Sequence, residues 1–153
     1  MNDIITINDD LKSSLWQGEL LDPAVSQKLL AIATRFFDDL ALEGAILEDV
    51  TFTGSLANYN WTKYSDIDLH LLVDFSKVDD NIELVREFFN AKTSLWNKMH
   101  NIEVLDHEVE LYVQDVSEDH HSTGVFSIKN DQWVARPVRV EPEVDTDMVK
   151  RKI

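Results

Sequence analysis

The sequence predicts a single domain that combines α-helices with β-strands. Two long stretches repeat apolar residues at helical spacing, over residues 22–40 and 82–99. Between and after them lie short runs of β-forming residues bounded by turn-forming residues. A length of 153 residues with 44% hydrophobic residues suits one domain with a packed core. We therefore expect a chain of the α/β (α+β) class.

Both helices are predicted from their flanking residues as well as from their period. Asp22 followed by Pro23 is typical of an N-cap and a first helical residue. The second helix follows Asp79 and Asp80, whose negative charge suits the positive end of the helix dipole. Lys98 near its end suits the opposite pole, so the charges agree with the apolar period.

The predicted strands occupy the rest of the domain. They span residues 46–53, 66–75, 102–105, 109–114, 124–129 and 132–135. The first ends in a turn at Gly54, and the last four segments form two hairpins. The segment 66–75 becomes wholly apolar towards its end, which is typical of a central strand covered on both faces.

Three regions are expected along the chain. Residues 1–21 form an N-terminal arm, residues 22–136 the domain, and residues 137–153 an extended charged tail with a helical start near Asp145. The bulky apolar residues of the arm would be costly to leave in water, so they are expected to pack on the domain. These residues are Leu15, Trp16, Leu20 and Leu21.

The charge of the chain restricts its partners. It carries 29 Asp and Glu against 14 Lys and Arg, a formal net charge of −15. This excess disfavours nucleic acid and anionic membranes, and no apolar run reaches the roughly 20 residues that span a bilayer. The absence of cysteine excludes disulfides and thiol catalysis. We expect a cytoplasmic protein, in the host cytoplasm if a phage encodes it, with no membrane partner.

One group of residues has a pattern that indicates chemistry. Gly54 and Ser55 end a predicted strand, ten residues intervene, and Asp66 and Asp68 open the next strand. Glycine permits close approach of the backbone, and a hydroxyl beside the first N–H groups of a helix suits phosphate oxygens. Carboxylates at i and i+2 project from one side of a strand and suit Mg²⁺, which prefers oxygen ligands. The spacing predicts a phosphate-binding turn beside two metal ligands.

A third carboxylate is expected to complete this metal site. Glu110 is the best candidate because it lies between Val109 and Leu111 in a predicted neighbouring strand. Glu108 lies on the same face and competes with it, and Asp115 at the end of the strand ranks third. Two Mg²⁺ ions about 4 Å apart can stabilise the attacking and leaving oxygens of a phosphoryl displacement.

Taken together, these residues resemble the defining motif of the DNA polymerase beta superfamily of nucleotidyltransferases. The parts are Gly54-Ser55, the ten-residue gap, Ser65-Asp66-Ile67-Asp68-Leu69 and Val109-Glu110-Leu111. The chain is most similar to the small stand-alone members found in bacteria and phages. The order of flanking elements extends the resemblance from about residue 22 to 115.

The resemblance implies the nucleotidyltransferase fold, with helices on a mixed, mainly antiparallel sheet. It implies transfer of a nucleoside monophosphate from a nucleoside triphosphate to a hydroxyl, with release of pyrophosphate. Gly54 and Ser55 would hold the triphosphate. Asp66 and Asp68 would bind two Mg²⁺ ions, for which Mn²⁺ can substitute. Glu110 would bind the metal nearer the acceptor and help to deprotonate its hydroxyl.

Two departures from the family pattern limit what the resemblance implies. Many small members place an arginine soon after the Gly-Ser pair, whereas here Lys63 is the nearest cation for the phosphates. The residues after 115 are also too few for the helical domain of larger members. These departures motivate an alternative, a catalytically silent binding module that acts as an antitoxin-like partner or a nucleotide sensor. For an active enzyme, the acidic surface favours a protein or small-molecule acceptor over a polynucleotide.

Several other residues near the motif have two interpretations. His70, on the acidic face of its strand, either supports the metal ligands or is a satisfied histidine. Three aromatic residues either stack a nucleobase or cover the edge of the sheet: Tyr59, Trp61 and Tyr64. Four histidines match no zinc pattern and are expected on the surface or in loops. They are His100, His107, His120 and His121.

Overall fold

The computed structural model describes residues 7–119 and 123–140. Its strands are β1 (Trp16–Gln17), β2 (Leu20–Leu21), β3 (Leu47–Thr53), β4 (Ile67–Val73), β5 (Glu103–Val104), β6 (His107–Asp115), β7 (Val125–Ser127) and β8 (Gln132–Ala135). Its α-helices are α1 (Pro23–Asp39) and α2 (Ile82–Met99), and two short 3₁₀ helices cover Ser55–Ala57 and Phe75–Lys77. The predicted helical start near Asp145 lies outside the described residues. In the described part of the chain, no helix is both long and apolar enough to cross a membrane.

Six of the strands form one sheet with the order β5-β6-β4-β3-β7-β8. Strands β4 and β6 run parallel, and every other neighbouring pair is antiparallel. Helix α2 lies between β4 and β6 in the chain, as parallel neighbours require a crossover connection. The prediction of an α+β chain with a mixed, mainly antiparallel sheet is therefore confirmed.

Both α-helices begin where the sequence predicts. Asp22 caps α1, because its Oδ1 accepts hydrogen bonds from the backbone N–H groups of Ala24 at 2.9 Å and Val25 at 3.3 Å. Asn81 caps α2 through a 3.1 Å bond from the N–H of Leu84. The two caps satisfy backbone donors that have no partner within a helix.

The two faces of β4 are covered unequally. Ile67, Leu69, Leu71 and Val73 are fully buried among the core residues. Residues 68, 70 and 72, on the other face, are only half-buried. The prediction that this strand is covered on both faces is therefore wrong. Phe75, which lengthens the apolar run in the sequence, lies in the 3₁₀ helix after the strand and not in the sheet.

The N-terminal arm packs on the domain through a small hairpin of β1 and β2. The indole of Trp16 stacks on that of Trp133 with 5.0 Å between ring centroids. Its Nε1 donates a 2.8 Å hydrogen bond to the carbonyl of Leu56. Leu15, Trp16 and Leu21 are buried as predicted, but Leu20 is 55% exposed because residues in a strand alternate sides.

Both predicted hairpins after α2 are confirmed. Strands β5 and β6 are joined by Leu105 and Asp106, whose φ angles are +49° and +70°. Two consecutive positive φ angles suit a two-residue hairpin turn. Strands β7 and β8 form the second hairpin and extend the sheet beyond β3.

Candidate active site

The half-open face of the sheet carries acidic residues on adjacent strands. Asp68 of β4 and Glu110 of β6 are direct partners in the parallel register. On its other side, Asp68 is the partner of Thr53, the last residue of β3, after which Gly54 follows. The sheet therefore places the predicted turn at the end of β3, next to Asp68 on β4 and Glu110 on β6.

The strand register distinguishes the three candidates for the third carboxylate. Glu108 is exposed and pairs with Glu103 of β5, and not with β4. Asp115 pairs with Val73 at the opposite end of β4, and its Oδ1 accepts a 3.1 Å hydrogen bond from the N–H of Phe75. The geometry thus favours Glu110 over both alternatives.

Burial and neighbouring negative charge raise the pKa values of Asp66 and Asp68. Burial, followed by the charges of Glu110 and Asp66, raises the pKa of Asp68 to about 6. The pKa of Asp66 is also raised, first by partial burial and then by the charge of Glu110 and a hydrogen bond with it. The charge of His107 acts in the opposite direction on the pKa of Asp66. Both pKa values are raised even though the charge of His107 lowers that of Asp66. Nearby positive charge therefore does not fully offset the negative charge of these carboxylates.

The charge and the donor atoms of these side chains are of the kind that suits a divalent cation. The donor atoms of the three side chains are all oxygens, which suits a hard ion such as Mg²⁺. Burial raises the pKa of Asp68 most, and bound positive charge would offset the repulsion from Glu110 and Asp66 that adds to it. In the positions that they occupy in this structure, no three His, Cys, Asp or Glu side chains of the described residues form a group that could hold a metal ion.

Tyr112 contacts the third carboxylate. Its hydroxyl donates a 2.6 Å hydrogen bond to Oε2 of Glu110. Burial and the charge of Glu110 raise the pKa of Tyr112, so the phenol stays protonated and continues to donate. This bond restricts the orientation of the Glu110 carboxylate on the face that carries Asp68.

The turn after β3 closely approaches the central carboxylate. Gly54 has a φ of +88°, and a Cβ at this position would lie only 2.5 Å from Oδ2 of Asp68. Only glycine fits both the backbone angle and this contact. The 3₁₀ helix Ser55–Ala57 begins at the next residue, and the Ser55 hydroxyl donates a 2.7 Å bond to Oγ of Ser65.

Three residues that support this turn were not predicted from the sequence. The Asn58 side chain donates a 2.6 Å hydrogen bond to the carbonyl of Gly54, and it accepts a 2.6 Å bond from Oγ1 of Thr123. A Cβ on Gly124 would lie 2.0 Å from the carbonyl oxygen of Ala57. The signal in the sequence was the rarity of glycine, since Gly124 is one of only four in the chain.

The predicted phosphate-binding cation has a different contact in this structure. Lys63 is exposed, and its Nζ lies 5.1 Å from the ring centroid of Tyr64. Another cation, Lys98, lines a surface pocket of about 410 Å³ together with Glu110 and Tyr112. Lys98 is therefore an additional candidate for contact with an anionic group beside the third carboxylate.

The aromatic residues of the motif differ in burial. Tyr59 and Trp61 are half-buried against the core, and Trp61 Nε1 donates a 2.9 Å bond to the carbonyl of Asp10. Both therefore cover the sheet from the side of the N-terminal segment. Tyr64 is 79% exposed and is the one of the three whose ring is open to a ligand.

The histidines also differ from one another. His70 is a satisfied histidine, because its Nδ1 lies 2.6 Å from Oε1 of Gln114. Burial lowers the pKa of His70. His100 is exposed as expected, but His107 is buried at the start of β6, so the surface prediction is wrong for that residue. His120 and His121 lie outside the described residues.

Comparisons of the chain with protein-family models, curated proteins and solved structures found no match. Evidence for the function of this chain therefore comes from the geometry of this site and from the motif in the sequence.

The raised pKa values predict how the metal-free protein responds to pH. Because Asp68 has a pKa near 6 when folded, against an ordinary value of 3.8, the folded state binds more protons between these values. The contribution of Asp68 to the free energy of unfolding therefore falls as pH rises from about 4 to about 7. We expect Asp68→Asn to be more stable than wild type at pH 7.5, with a smaller advantage at pH 4.5.

Thermal unfolding of both proteins in the presence of a chelator measures this difference. Added Mg²⁺ at pH 7.5 should raise the melting temperature of wild type more than that of Asp68→Asn. A stability difference that stays constant across this pH range would contradict the expected burial and repulsion at Asp68.

Proposed function

We propose that this protein is a Mg²⁺-dependent nucleotidyltransferase of the polymerase beta type. It transfers a nucleoside monophosphate from a nucleoside triphosphate to a hydroxyl acceptor and releases pyrophosphate. The observation that supports this most is the alignment of Thr53, Asp68 and Glu110 on three neighbouring strands of a half-buried sheet face, with the Gly54 turn directly after Thr53. This alignment joins residues far apart in the sequence into the motif that the resemblance implies.

Each residue of the motif has a role in this proposal. The Gly54 turn and the Ser55 hydroxyl receive phosphate oxygens. Asp66, Asp68 and Glu110 hold the metal ions, and bound Mg²⁺ supplies charge stabilisation for the attacking and leaving oxygens. The acceptor oxygen forms a bond to the α-phosphorus, and the bond from that phosphorus to the α,β-bridging oxygen breaks. Glu110 helps to take the acceptor proton, and pyrophosphate leaves.

The acceptor is proposed from charge. A polynucleotide would bring further negative charge to a chain that already has a net charge of −15. A protein hydroxyl or a small molecule meets less repulsion. The pocket of about 410 Å³ beside Glu110 also lies on the side of Asp68 away from the Gly54 turn. An acceptor there would face the side opposite the phosphate-binding turn, as an in-line displacement requires.

Labelled triphosphates test the proposal directly. ATP, GTP, CTP and UTP are supplied with Mg²⁺, each labelled once at the α- and once at the γ-phosphate, together with candidate hydroxyl acceptors and the protein itself as acceptor. We expect the α-label to become acid-stable on an acceptor with at least one triphosphate, and the γ-label to leave as pyrophosphate. Transfer of the γ-label instead would indicate a kinase and would overturn the proposal.

Calorimetry with the same four triphosphates separates the alternatives. Heat of triphosphate binding that depends on Mg²⁺, together with pyrophosphate release, supports the proposal that the protein is an enzyme. Heat without pyrophosphate release would indicate a nucleotide sensor. No heat with any of the four would favour a silent binding module.

A further inference from the structure

Ser65, the residue before Asp66, has each of its polar groups in a hydrogen bond. Its N–H donates to the carbonyl of Thr62 at 3.1 Å. Its Oγ accepts from the Ser55 hydroxyl at 2.7 Å and from the N–H of Thr62 at 2.9 Å. Its carbonyl oxygen lies 2.7 Å from Nδ1 of His107. Ser65 therefore joins the phosphate-binding turn to the start of β6.

The bond from His107 fixes the tautomer of its ring. A backbone carbonyl only accepts hydrogen bonds, so Nδ1 must carry the proton and donate it. His107 is only 2% exposed, and its Nε2 is buried with no hydrogen-bond partner in the described structure. Burying an unpaired polar atom opposes folding, so an apolar side chain would pack here at lower cost. A role in packing alone does not account for a histidine at this position.

The strand pairing of the sheet does not hold the backbone of Asp66 in place. Strand β4 begins at Ile67, whose partner in β6 is Val109, so the strand pairing holds Asp68 but does not extend to Asp66. The hydrogen bond from His107 reaches the carbonyl of Ser65, which belongs to the peptide group that links Ser65 to Asp66. This bond ties that peptide to the strand that carries Glu110, three residues after His107.

We propose that His107 is a positioning residue for Asp66. By donating from Nδ1 to the Ser65 carbonyl, it holds the Asp66 backbone where the carboxylate meets Glu110 and Asp68. The inference rests on the proposed function in that these carboxylates are taken to bind the metal. His107 itself contacts neither metal nor substrate in this scheme. Its effect is transmitted through one peptide group.

Two polar substitutions of His107 test whether the hydrogen-bond donor must lie at the position of Nδ1. The side-chain amide nitrogen of His107→Asn can occupy the place of Nδ1 and donate to Ser65. The amide of His107→Gln reaches instead to the place of Nε2. Both variants bury the same functional group, so the comparison stays valid even if the apolar variant His107→Leu fails to fold. Melting temperatures and circular dichroism confirm that the compared variants are folded.

Metal dependence is the decisive measurement. We expect His107→Gln to raise the Mg²⁺ concentration for half-maximal pyrophosphate release by roughly 10- to 100-fold, as for other residues that orient metal ligands. The KM for the triphosphate at saturating Mg²⁺ should change much less. His107→Asn should recover most of the wild-type metal dependence. Equal metal dependence in His107→Gln and wild type, or no recovery in His107→Asn, would overturn the inference.

Mn²⁺ binding, followed by electron paramagnetic resonance without any nucleotide, separates this inference from the proposed function. If wild type binds Mn²⁺ but transfers no nucleotide, the proposed function fails, and the same ranking of variants in Mn²⁺ affinity still tests His107. If wild type binds no Mn²⁺, both fail. Long-range ¹H–¹⁵N spectra of the His107 ring give an independent check, because a proton on Nδ1 is expected. The reverse tautomer would contradict the proposed hydrogen bond.

Discussion

Asp68→Asn is expected to lower nucleotide transfer at least about 1,000-fold while the fold remains intact. Asp68 is the middle member of the site, with Thr53 and the Gly54 turn on one side and Glu110 on the other. Asparagine keeps the shape of the side chain but removes the negative charge that binds Mg²⁺. A 1,000-fold loss corresponds to about 4 kcal/mol of transition-state stabilisation. Initial rates of pyrophosphate release at saturating triphosphate and Mg²⁺ measure it.

Neighbouring acids supply the controls for this experiment. Asp66→Asn and Glu110→Gln should also be severely impaired, because both residues belong to the proposed metal site. Glu108→Gln is the matched control, since Glu108 lies on the same face of β6 but is exposed and pairs with Glu103. It should retain transfer within about threefold of wild type, since a surface substitution outside the site has little effect. Undiminished transfer in both Asp66→Asn and Asp68→Asn would reject the metal role.

Local patterns predicted the elements of this fold well, because local chemistry determines them. Asp22 and Asn81 cap helices with bonds to residues two or three positions away, so the start of a helix is visible in the sequence. The coverage of a strand depends on distant parts of the chain. The apolar run that ends at Phe75 is typical of a strand buried on both faces, yet Phe75 lies outside the sheet and the other face of β4 is only half-buried.

The candidate site also combines features that the local sequence shows with features that depend on distant parts of the chain. The i and i+2 spacing of Asp66 and Asp68 was visible locally, whereas the choice of Glu110 over Glu108 required the register of β4 against β6. The support of the Gly54 turn was missed because its contacts are remote. Thr123 bonds to Asn58 across 65 positions in the chain. The prediction that His107 lies on the surface or in a loop is wrong for the same reason, because its hydrogen-bond partner Ser65 lies 42 residues away in the chain.

Gly54→Ala is expected to lower transfer about 100-fold, because it displaces the Asp68 carboxylate without removing it. The new Cβ would lie 2.5 Å from Oδ2 of Asp68, well inside contact distance, so the carboxylate must rotate or the turn must shift. A displacement of about 1 Å in a catalytic group can cost about 100-fold in rate. The φ of +88° and ψ of −171° of Gly54 lie in a region that is essentially restricted to glycine, which adds a backbone penalty of about 1–3 kcal/mol in stability.

Gly44→Ala separates the backbone penalty from the steric one. Gly44 has a φ of +82°, close to that of Gly54, but a Cβ there meets only the carbonyl oxygen of Lys77 at 3.8 Å. Both variants place a Cβ on a residue with positive φ and should therefore lose stability in urea titrations, while only Gly54→Ala loses transfer. In the double variant Gly54→Ala/Asp68→Asn, the two losses should not add, because both act through the same carboxylate. If Gly44→Ala lost as much transfer as Gly54→Ala, general destabilisation would explain both, and the contact between Gly54 and Asp68 would have no separate role in catalysis.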